Sequence, residues 1–471
     1  MPPSVETLYS MRSLRTCLLA LACVAALASP ALAAAKKPAK KRHAAPPPPE
    51  LALTPALTTA PGARISMPPA GVSLEYPVMA ADLGGGECPP PALVAELQRL
   101  GSPPLQLAGQ SQDFTVPAAS APTPAQSWED LTSYPLPDAF WSRLHCLLAA
   151  THEPLTAGLN IRIGRLAWAE QMVAGASAAA TGGVSFSLGN EPDLYYLPNY
   201  GSLDKPQAGE EATEVGLYLR AVAAIRPAVG TAPLIGPELS GPGRWRAALP
   251  GVISTLGLSA VGVHAYPLSV CRTPRAATVN GLLEASVGDA PSRLGWVVAD
   301  ARAAGRQAVI TEANSVSCGG KSGVSDSRAS AVWAVRFVLS ALRTGFAEVR
   351  FHFSGNSYDP FYLRGGEVVR HPLEAAMTAL NQWLPVGATL RSVAGLKGIA
   401  ATAIAAPGAQ PLVLIDNGER KTRTLVLRGE APVPVGSFSA SGALPALRRA
   451  KGPGHRLLLT LPANTMLAVR Y

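Results

Sequence analysis

Two glutamates in this sequence stand at the ends of short apolar segments. Glu191 follows residues 185–189 in SFSLGNEPD, and Glu312 ends the apolar part of AVITEANS. Pro192 has no backbone N–H and cannot continue a central β-strand, so the first segment must end near Glu191. In α/β barrels the carboxyl end of a strand is where catalytic groups lie. Two carboxyl groups in such positions are the smallest set of catalytic groups that glycosidases use to break a glycosidic bond.

The two glutamates would divide the chemistry between them. A carboxylic acid can protonate a leaving oxygen when burial or a neighbouring carboxylate raises its pKa, and an ionised carboxylate can attack an anomeric carbon. We predict that Glu191 is the acid/base and Glu312 the nucleophile. Asn190, directly before Glu191, would hydrogen-bond the sugar hydroxyl next to the reacting carbon.

Eight apolar, strand-like segments alternate with helical segments between residues 71 and 385. This alternation predicts the α/β fold class, as a (β/α)8 TIM barrel whose strands are buried on both faces. Glu191 would follow strand four and Glu312 would end strand seven, so both side chains would converge at the barrel mouth. We expect the third strand at residues 158–164 and a helix within residues 279–304.

The chain changes character after residue 385. Short strand-like segments separated by Gly, Pro or Asn fill residues 386–471 and predict a C-terminal antiparallel β-sandwich domain. Residues 51–70 also contain short, threonine-bearing segments that are interrupted by Pro and Gly. We expect these N-terminal strands to join the β-sandwich, which would make that domain discontinuous.

Residues 1–33 have the pattern of a secretory signal peptide. They combine a charged start, an apolar run too short to span a bilayer and an A-x-A end. Residues 34–50 form a basic, proline-rich linker, and we expect at most weak contact of this linker with an anionic surface polymer. We therefore expect export to the periplasm or the extracellular space and no transmembrane segment in the mature chain.

The formal net charge of +9 has a large N-terminal contribution. Residues 1–50 hold seven Lys or Arg and two Glu, and the rest of the chain holds 33 basic and 29 acidic residues. This near balance, without a basic stripe interleaved with aromatic residues, argues against nucleic-acid binding by the body of the protein.

Four cysteines remain once the signal peptide is removed: Cys88, Cys146, Cys271 and Cys318. An even number in an exported protein permits two disulfides, with three possible pairings. The absence of any C-x-x-C segment from the sequence argues against a zinc site. We predict no metal and no cofactor.

Three segments together resemble glycoside hydrolase family 79, which includes β-glucuronidases and the heparanases. They are SLGNEPD, TEANS and CGGKSGVSDSRASAVW. The resemblance implies a retaining barrel glycosidase with a C-terminal β-sandwich. It also implies that Glu191 is the acid/base, Asn190 its sugar-binding neighbour and Glu312 the nucleophile.

The resemblance also implies a site for a uronic acid carboxylate. In the family, a glycine loop and a tyrosine after strand eight hold this group. Gly319, Gly320 and Gly323 match the loop, whose bare N–H groups can bind an anion without a charged side chain. Tyr358 is the best match for the tyrosine, and Tyr362 is the second.

Further substrate contacts follow from position in the resembled family. Glu75 ends strand one, where the family binds sugar hydroxyls. Gln110 and Asp113 occupy a segment that often reads Gly-Gly-Asn-Ser in relatives but reads LAGQSQD here. His264 and Tyr266 end strand six, where a His or an aromatic residue can orient the nucleophile.

Neighbouring loops at the barrel mouth suggest how the cysteines pair. Cys271 comes just after strand six and Cys318 just after strand seven. We therefore predict a Cys271–Cys318 disulfide that fixes the carboxylate-binding loop, which leaves Cys88 to pair with Cys146.

We predict a retaining, β-glucuronidase-like glycosidase that acts on a β-glucuronide-containing oligo- or polysaccharide. Two alternatives stay open. One is a related barrel glycosidase acting on a neutral sugar such as xylose or arabinose. The other is a non-catalytic, cell-surface polysaccharide-binding protein.

Overall fold

The computed structural model describes most of the chain beyond its N-terminal segment. The described residues are 47–53, 62–118, 133–162, 164–195, 211–241, 243–396, 398–429, 432–451 and 455–471. The predicted signal peptide and nearly all of the predicted linker lie outside these ranges. In the described part of the chain, every helix is too short or too polar to cross a lipid bilayer.

Eight parallel strands close into a barrel in chain order, which confirms the predicted (β/α)8 fold. We number these barrel strands one to eight: Ala70–Glu75, Leu105–Ala108, Leu155–Leu159, Val184–Leu188, Leu234–Leu239, Ala260–Ala265, Gln307–Ala313 and Val349–Phe353. Strand five pairs with strand six, and strand eight pairs with strand one. The carboxyl ends of all eight strands therefore meet at one mouth.

The barrel strands are buried on both faces, as their apolar composition predicts. All residues of strands three and eight are buried. The third strand lies earlier than expected, at Leu155–Leu159 rather than at residues 158–164. Its backbone pairing with strand four runs from Leu155 to Leu159, so the apolar residues that follow belong to the connection above the strand.

Helices cover the outside of the barrel. They span Tyr76–Leu83, Pro91–Arg99, Phe140–Thr151, Leu166–Ala179, Glu211–Val229, Leu249–Leu256, Val279–Leu282, Ala285–Gly288, Gly295–Ala303, Arg328–Thr344 and Pro372–Trp383. The helix expected within residues 279–304 is broken into short pieces, with a 3-10 turn at Ala290–Leu294. Pro291 lacks the N–H that a continuous helix would need at that point.

Two further sheets share a second hydrophobic core and form a β-sandwich. The six-stranded sheet contains Ala63–Arg64, Thr389–Leu396, Ile399–Ala405, Leu412–Asn417, Thr465–Arg470 and Val433–Ser439, in that spatial order. The four-stranded sheet contains Glu50–Ala52, Arg423–Arg428, Arg456–Leu461 and Ala446–Arg449. Short strands from before the barrel thus pair with strands that follow it.

The barrel and the sandwich lie in one compact unit and are joined by ion pairs. Arg336, on a barrel helix, donates from Nε and Nη2 to the two carboxylate oxygens of Asp416 in the sandwich, at 2.8 Å each. Arg336 is 8% exposed and Asp416 16%, so little water screens this pair. A second pair, between Arg420 and Glu284, is mostly exposed.

Loss of one partner of the buried pair is expected to destabilise the protein. We predict that Arg336→Met lowers the free energy of unfolding by about 3 kcal/mol, because it leaves the Asp416 carboxylate partly buried without its counter-charge. The matched change Arg420→Met removes an exposed pair and should cost less than about 1 kcal/mol. Chemical denaturation of both variants measures the difference, and equal losses would contradict this account of the interface.

Candidate active site

Glu191 is held at the mouth of the barrel by a strained turn. Its backbone has φ +50° and begins a 3-10 turn over Pro192–Leu194, and its N–H donates to the carbonyl of Glu238 at 3.0 Å. Two residues earlier, Gly189 has φ +82°, and a β-carbon there would lie 2.5 Å from the hydroxyl of Tyr195. Glycine is therefore required at the bend that carries Asn190 and Glu191 out of strand four.

Glu312 lies in strand seven and is nearly buried. The hydroxyl of Tyr266 donates to its Oε1 at 2.8 Å. Its Oε2 faces two imidazoles, at 3.7 Å from Nδ1 of His264 and 3.6 Å from Nδ1 of His352. Polar groups thus surround this carboxylate from strands six and eight.

The two predicted catalytic carboxylates converge. One oxygen of Glu191, one oxygen of Glu312 and a ring nitrogen of His264 all lie within 4.8 Å of one another. In retaining glycosidases the carboxyl groups are about 5–5.5 Å apart, whereas inverting enzymes separate them by about 6.5–9.5 Å to admit a water. Oxygens of Glu191 and Glu312 thus approach each other more closely than the carboxyl groups of inverting enzymes.

The same three groups have the types and spacing of metal ligands. Both ring nitrogens of His264 are already engaged, Nδ1 with Glu191 at 3.0 Å and Nε2 with Glu238 at 3.2 Å. An ion between Glu191 and Glu312 would have to replace the first of these contacts. The arrangement of Glu191, His264 and Glu312 is thus explained by hydrogen bonds of the imidazole at least as well as by a bound cation.

His264 is buried among three carboxylates that raise its pKa. Burial alone lowers the pKa of the ring, but the charges of Glu312, Glu191 and Glu238 outweigh this effect and raise it well above the ordinary value. Nδ1 of the ring lies 3.0 Å from Glu191 and Nε2 lies 3.2 Å from Glu238, so both ring nitrogens are within hydrogen-bond distance of a carboxyl group. Thr311 also donates a hydrogen bond to Glu238.

Glu238 and His352 are site residues that the sequence analysis did not identify. Glu238 ends strand five with φ +58°, is 1% exposed and lies beneath His264. His352 points from strand eight towards Glu312 and contacts Glu75 at 3.4 Å. The signal for Glu238 was available, because Glu238 in GPELS is a further glutamate near the end of a barrel strand, besides Glu75, Glu191 and Glu312.

Asn190 is fixed from behind by Asp113. The carboxylate of Asp113 accepts hydrogen bonds from the backbone N–H of Asn190 at 3.2 Å and from the hydroxyl of Tyr195 at 2.9 Å. Burial raises the pKa of Asp113 to about 7, although Arg162 opposes this shift. Asp113 thus supports Asn190 within the protein instead of facing open space.

Glu75 anchors the segment that carries Gln110. Its two carboxylate oxygens accept the backbone N–H groups of Gln110 at 3.0 Å and Ser111 at 2.6 Å. A β-carbon at Gly109 (φ +76°) would lie 2.5 Å from the Glu75 carboxylate, so this close approach needs glycine. Gln110 meets Glu75 through its backbone, and its side chain is exposed.

The glycine loop packs against the segment that bears Tyr358. Gly319 (φ +82°) and Gly320 (φ +79°) are both left-handed, and a β-carbon at Gly320 would lie 3.0 Å from the amide nitrogen of Tyr358. Within the described residues, no hydrogen bond uses the N–H groups of Gly319 or Gly320. The amide of Gly323, in contrast, is taken by the carboxylate of Asp326 at 2.6 Å.

A disulfide and a short strand pair hold this loop. The structure joins Cys271 to Cys318 at one end of the loop, and it joins Cys88 to Cys146 elsewhere. Leu268–Ser269 pairs with Val316–Ser317 just before it. The loop is thus tied to the end of strand six.

Tyr358 lies beside Glu312, and Tyr362 belongs to a separate hairpin. The ring of Tyr358 is 6.3 Å from that of Tyr266 and 6.1 Å from that of His352, and its hydroxyl shares a 2.7 Å hydrogen bond with Ser354. Burial and the charge of Glu312 raise the pKa of Tyr358. Tyr362 lies in a hairpin over residues 361–370.

Several solved structures with the same fold are glycoside hydrolases. A 4-O-α-L-rhamnosyl-β-D-glucuronidase from Fusarium oxysporum 12S has a TM-score of 0.64 and 20% identity, over 87% of this chain and 97% of that one. A family 51 α-L-arabinofuranosidase from Bifidobacterium longum has a TM-score of 0.62 and 14% identity, over 90% and 99%. The catalytic domain of a family 30 xylanase C from Talaromyces cellulolyticus has a TM-score of 0.53 and 14% identity, over 87% and 98%.

No protein-family model matches the sequence, and no curated protein matches it significantly. The likeness to solved structures therefore establishes the fold, which these glycoside hydrolases share at low sequence identity.

Deprotonation of His352 is expected to destabilise the protein in a defined pH range. Burial lowers the pKa of His352, but Glu312 and Glu75 raise it, to a net value of about 8 against an ordinary 6.5. The stabilisation is therefore complete below pH 6.5 and is lost as the pH rises through 8. A shift of this size corresponds to about 2 kcal/mol. We predict that His352→Asn removes this part of the fall in unfolding free energy, measured by urea denaturation across the range.

The control for this titration is His145→Asn. His145 lies outside the site, where its ring contacts the carbonyl of Ala179, and this variant controls for the loss of a histidine ring as such. An unchanged pH dependence in the His352 variant would show that this ring does not gain a proton from its carboxylate neighbours.

Proposed function

We propose that this protein is a retaining glycoside hydrolase that cleaves β-glucuronosyl linkages, of the kind found in glycoside hydrolase family 79. The observation that carries the proposal is the convergence of Glu191 and Glu312 at the barrel mouth, with carboxylate oxygens within 4.8 Å of each other. In a retaining enzyme the carboxyl groups of the acid and the nucleophile lie close together, about 5–5.5 Å apart.

In the first step Glu312 attacks the anomeric carbon while Glu191 gives its proton to the departing oxygen. The bond from the anomeric carbon to that oxygen breaks, and a glycosyl ester of Glu312 forms. Tyr266 and the imidazoles of His264 and His352 surround the Glu312 carboxylate. These neighbours orient the carboxylate towards the sugar.

In the second step Glu191, now ionised, takes a proton from water. The water oxygen attacks the anomeric carbon and releases the Glu312 carboxylate, so the configuration is retained after two inversions. The N–H of His264 that donates to Glu191 at 3.0 Å keeps this carboxylate in place between the two steps. Asn190, whose backbone is fixed by Asp113, presents its amide to the neighbouring sugar hydroxyl.

Preference for a uronic acid would come from the glycine loop. The N–H groups of Gly319 and Gly320 have no protein acceptor within the described residues, and the backbone of Tyr358 packs against Gly320. Backbone amides so exposed can bind a carboxylate without a charged side chain. The similar fold of a rhamnosyl-glucuronidase supports this choice of substrate. We also propose export, which suits two disulfides.

A neutral sugar is the second candidate substrate. The structures with the same fold include an arabinofuranosidase and a xylanase, and the names of these two enzymes refer to neutral sugars. Comparing p-nitrophenyl β-glucuronide with the matching xyloside and arabinofuranoside distinguishes the two candidates.

Substitution of the two glutamates tests the proposed mechanism. We predict that Glu312→Gln abolishes hydrolysis of p-nitrophenyl β-glucuronide and that Glu191→Ala lowers turnover by about a hundred- to ten-thousandfold, because it removes the acid/base. Azide should restore turnover only in the Glu191 variant, since it can replace water without a general base. The product should be the β-glucuronosyl azide.

The matched control is Glu170→Gln, an exposed glutamate on the helix Leu166–Ala179. This variant should keep full activity. A folded Glu312→Gln protein with normal turnover would refute the assignment. If the wild type cleaves only neutral glycosides, the roles assigned to both glutamates stand and the proposed preference for a uronic acid is refuted.

A further inference from the structure

Positive charge is concentrated in the C-terminal part of the β-sandwich. Residues 386–471 contain eleven Lys or Arg and only three Asp or Glu, whereas residues 51–385 contain 22 and 26. The catalytic barrel is therefore slightly acidic and the sandwich strongly basic. This division within one exported chain predicts that the sandwich, and not the barrel surface, meets an anionic partner.

Several of these cations lie on the outer face of the four-stranded sheet. Leu425, Leu427 and Leu459 point into the sandwich core, so the alternate residues of the same strands point outward. Arg448 lies opposite Leu458 in the register, which places it on the outer face. Arg428 lies opposite Arg456 on the same face.

The outer face spans three adjacent strands and is only partly neutralised. Arg428 and Arg448 lie on strands that are two apart, about 10 Å across the sheet, and they are offset by two residues along it. Glu50 contacts Arg428 at 3.5 Å and Arg456 at 2.8 Å.

Arg448, Arg449 and Lys451 form what we call the edge cluster. All three side chains are exposed. Within the described residues, none of them contacts a carboxylate. The strand Ala446–Arg449 has a partner on one side only, the strand Arg456–Leu461.

Cations on an edge strand also prevent sheets from pairing between molecules. One or two charges suffice for that role. Protection against sheet pairing does not account for a surplus of eight positive charges across the sandwich, nor for further arginines on the outer face. An anionic ligand accounts for both.

We infer that this outer face and its edge cluster bind an acidic polysaccharide, of the uronate-containing class whose linkages the barrel is proposed to cleave. The inference rests on the proposed function for the choice of polymer. Arginine guanidinium groups match carboxylates in a two-point geometry. Thr424 and Thr460, opposite each other on the outer face, supply hydroxyls for sugar contacts. The face has no aromatic side chain in these strands on which nucleic-acid bases could stack.

Binding to polygalacturonate tests the inference directly. The variant Arg448→Glu/Arg449→Glu/Lys451→Glu should bind this polymer at least about tenfold more weakly than the wild type at low salt, because three counter-charges are lost. Neutral dextran should bind neither to the wild type nor to this variant. The matched control, Arg293→Glu/Arg302→Glu/Arg306→Glu, makes the same change in charge at exposed barrel positions and should bind normally.

Hydrolysis separates this proposal from the proposed catalytic function. The edge-cluster variant should cleave p-nitrophenyl β-glucuronide at the wild-type rate. If no glucuronide is cleaved but polygalacturonate binding still depends on the edge cluster, the surface stands and the catalytic proposal fails. If glucuronide is cleaved and both triple variants bind the polymer equally, the surface proposal fails.

Two further results would bear on the surface. Equal affinity for a poly-dT oligonucleotide and for polygalacturonate would overturn the choice of a polysaccharide. If charge reversal disturbs the fold, the milder variant Arg448→Gln/Arg449→Gln/Lys451→Gln is tested instead. It should also bind polygalacturonate more weakly than the wild type, and normal binding by this folded variant would overturn the inference.

Discussion

His264 lies among three glutamates at the barrel mouth, and these neighbours raise the pKa of its ring well above the ordinary value. The imidazole offsets the repulsion between Glu191, Glu238 and Glu312 whenever their carboxyl groups are ionised. The imidazole lies on strand six and contacts glutamates from strands four, five and seven. Burial alone would remove its proton, and the carboxylates reverse that tendency. The site therefore depends on the order of the strands, since only adjacent strand ends can place one ring among three acids.

Other polar groups near the site hold loops in position. Asp113 fixes the backbone of Asn190, and Glu75 fixes the turn after strand two. The disulfide between Cys271 and Cys318 ties the glycine loop to the end of strand six. These contacts satisfy buried polar groups and at the same time fix the positions of groups that face the sugar. Preorganisation of this kind is what the proposed double displacement requires.

The alternation of apolar segments was sufficient to predict the barrel, because parallel strands must be connected through helices. Position at a strand end was sufficient to single out Glu191 and Glu312. His352 escaped prediction because strands buried on both faces show no polar alternation, so the sequence does not reveal which side chains point to the barrel axis. Glu238 was missed although it too stands near a strand end, in GPELS. The third strand was placed too late, since apolar residues continue beyond the point where backbone pairing ends.

The most direct test of the central claim is to trap the glycosyl-enzyme intermediate. A 2-deoxy-2-fluoro β-glucuronide with an activated leaving group slows the second step more than it prevents the first. Mass spectrometry of the digested protein should then find a fluoroglucuronosyl ester on Glu312 and on no other residue. Hydrolysis of the natural glucuronide with inversion of configuration, and no ester on Glu312, would contradict the account.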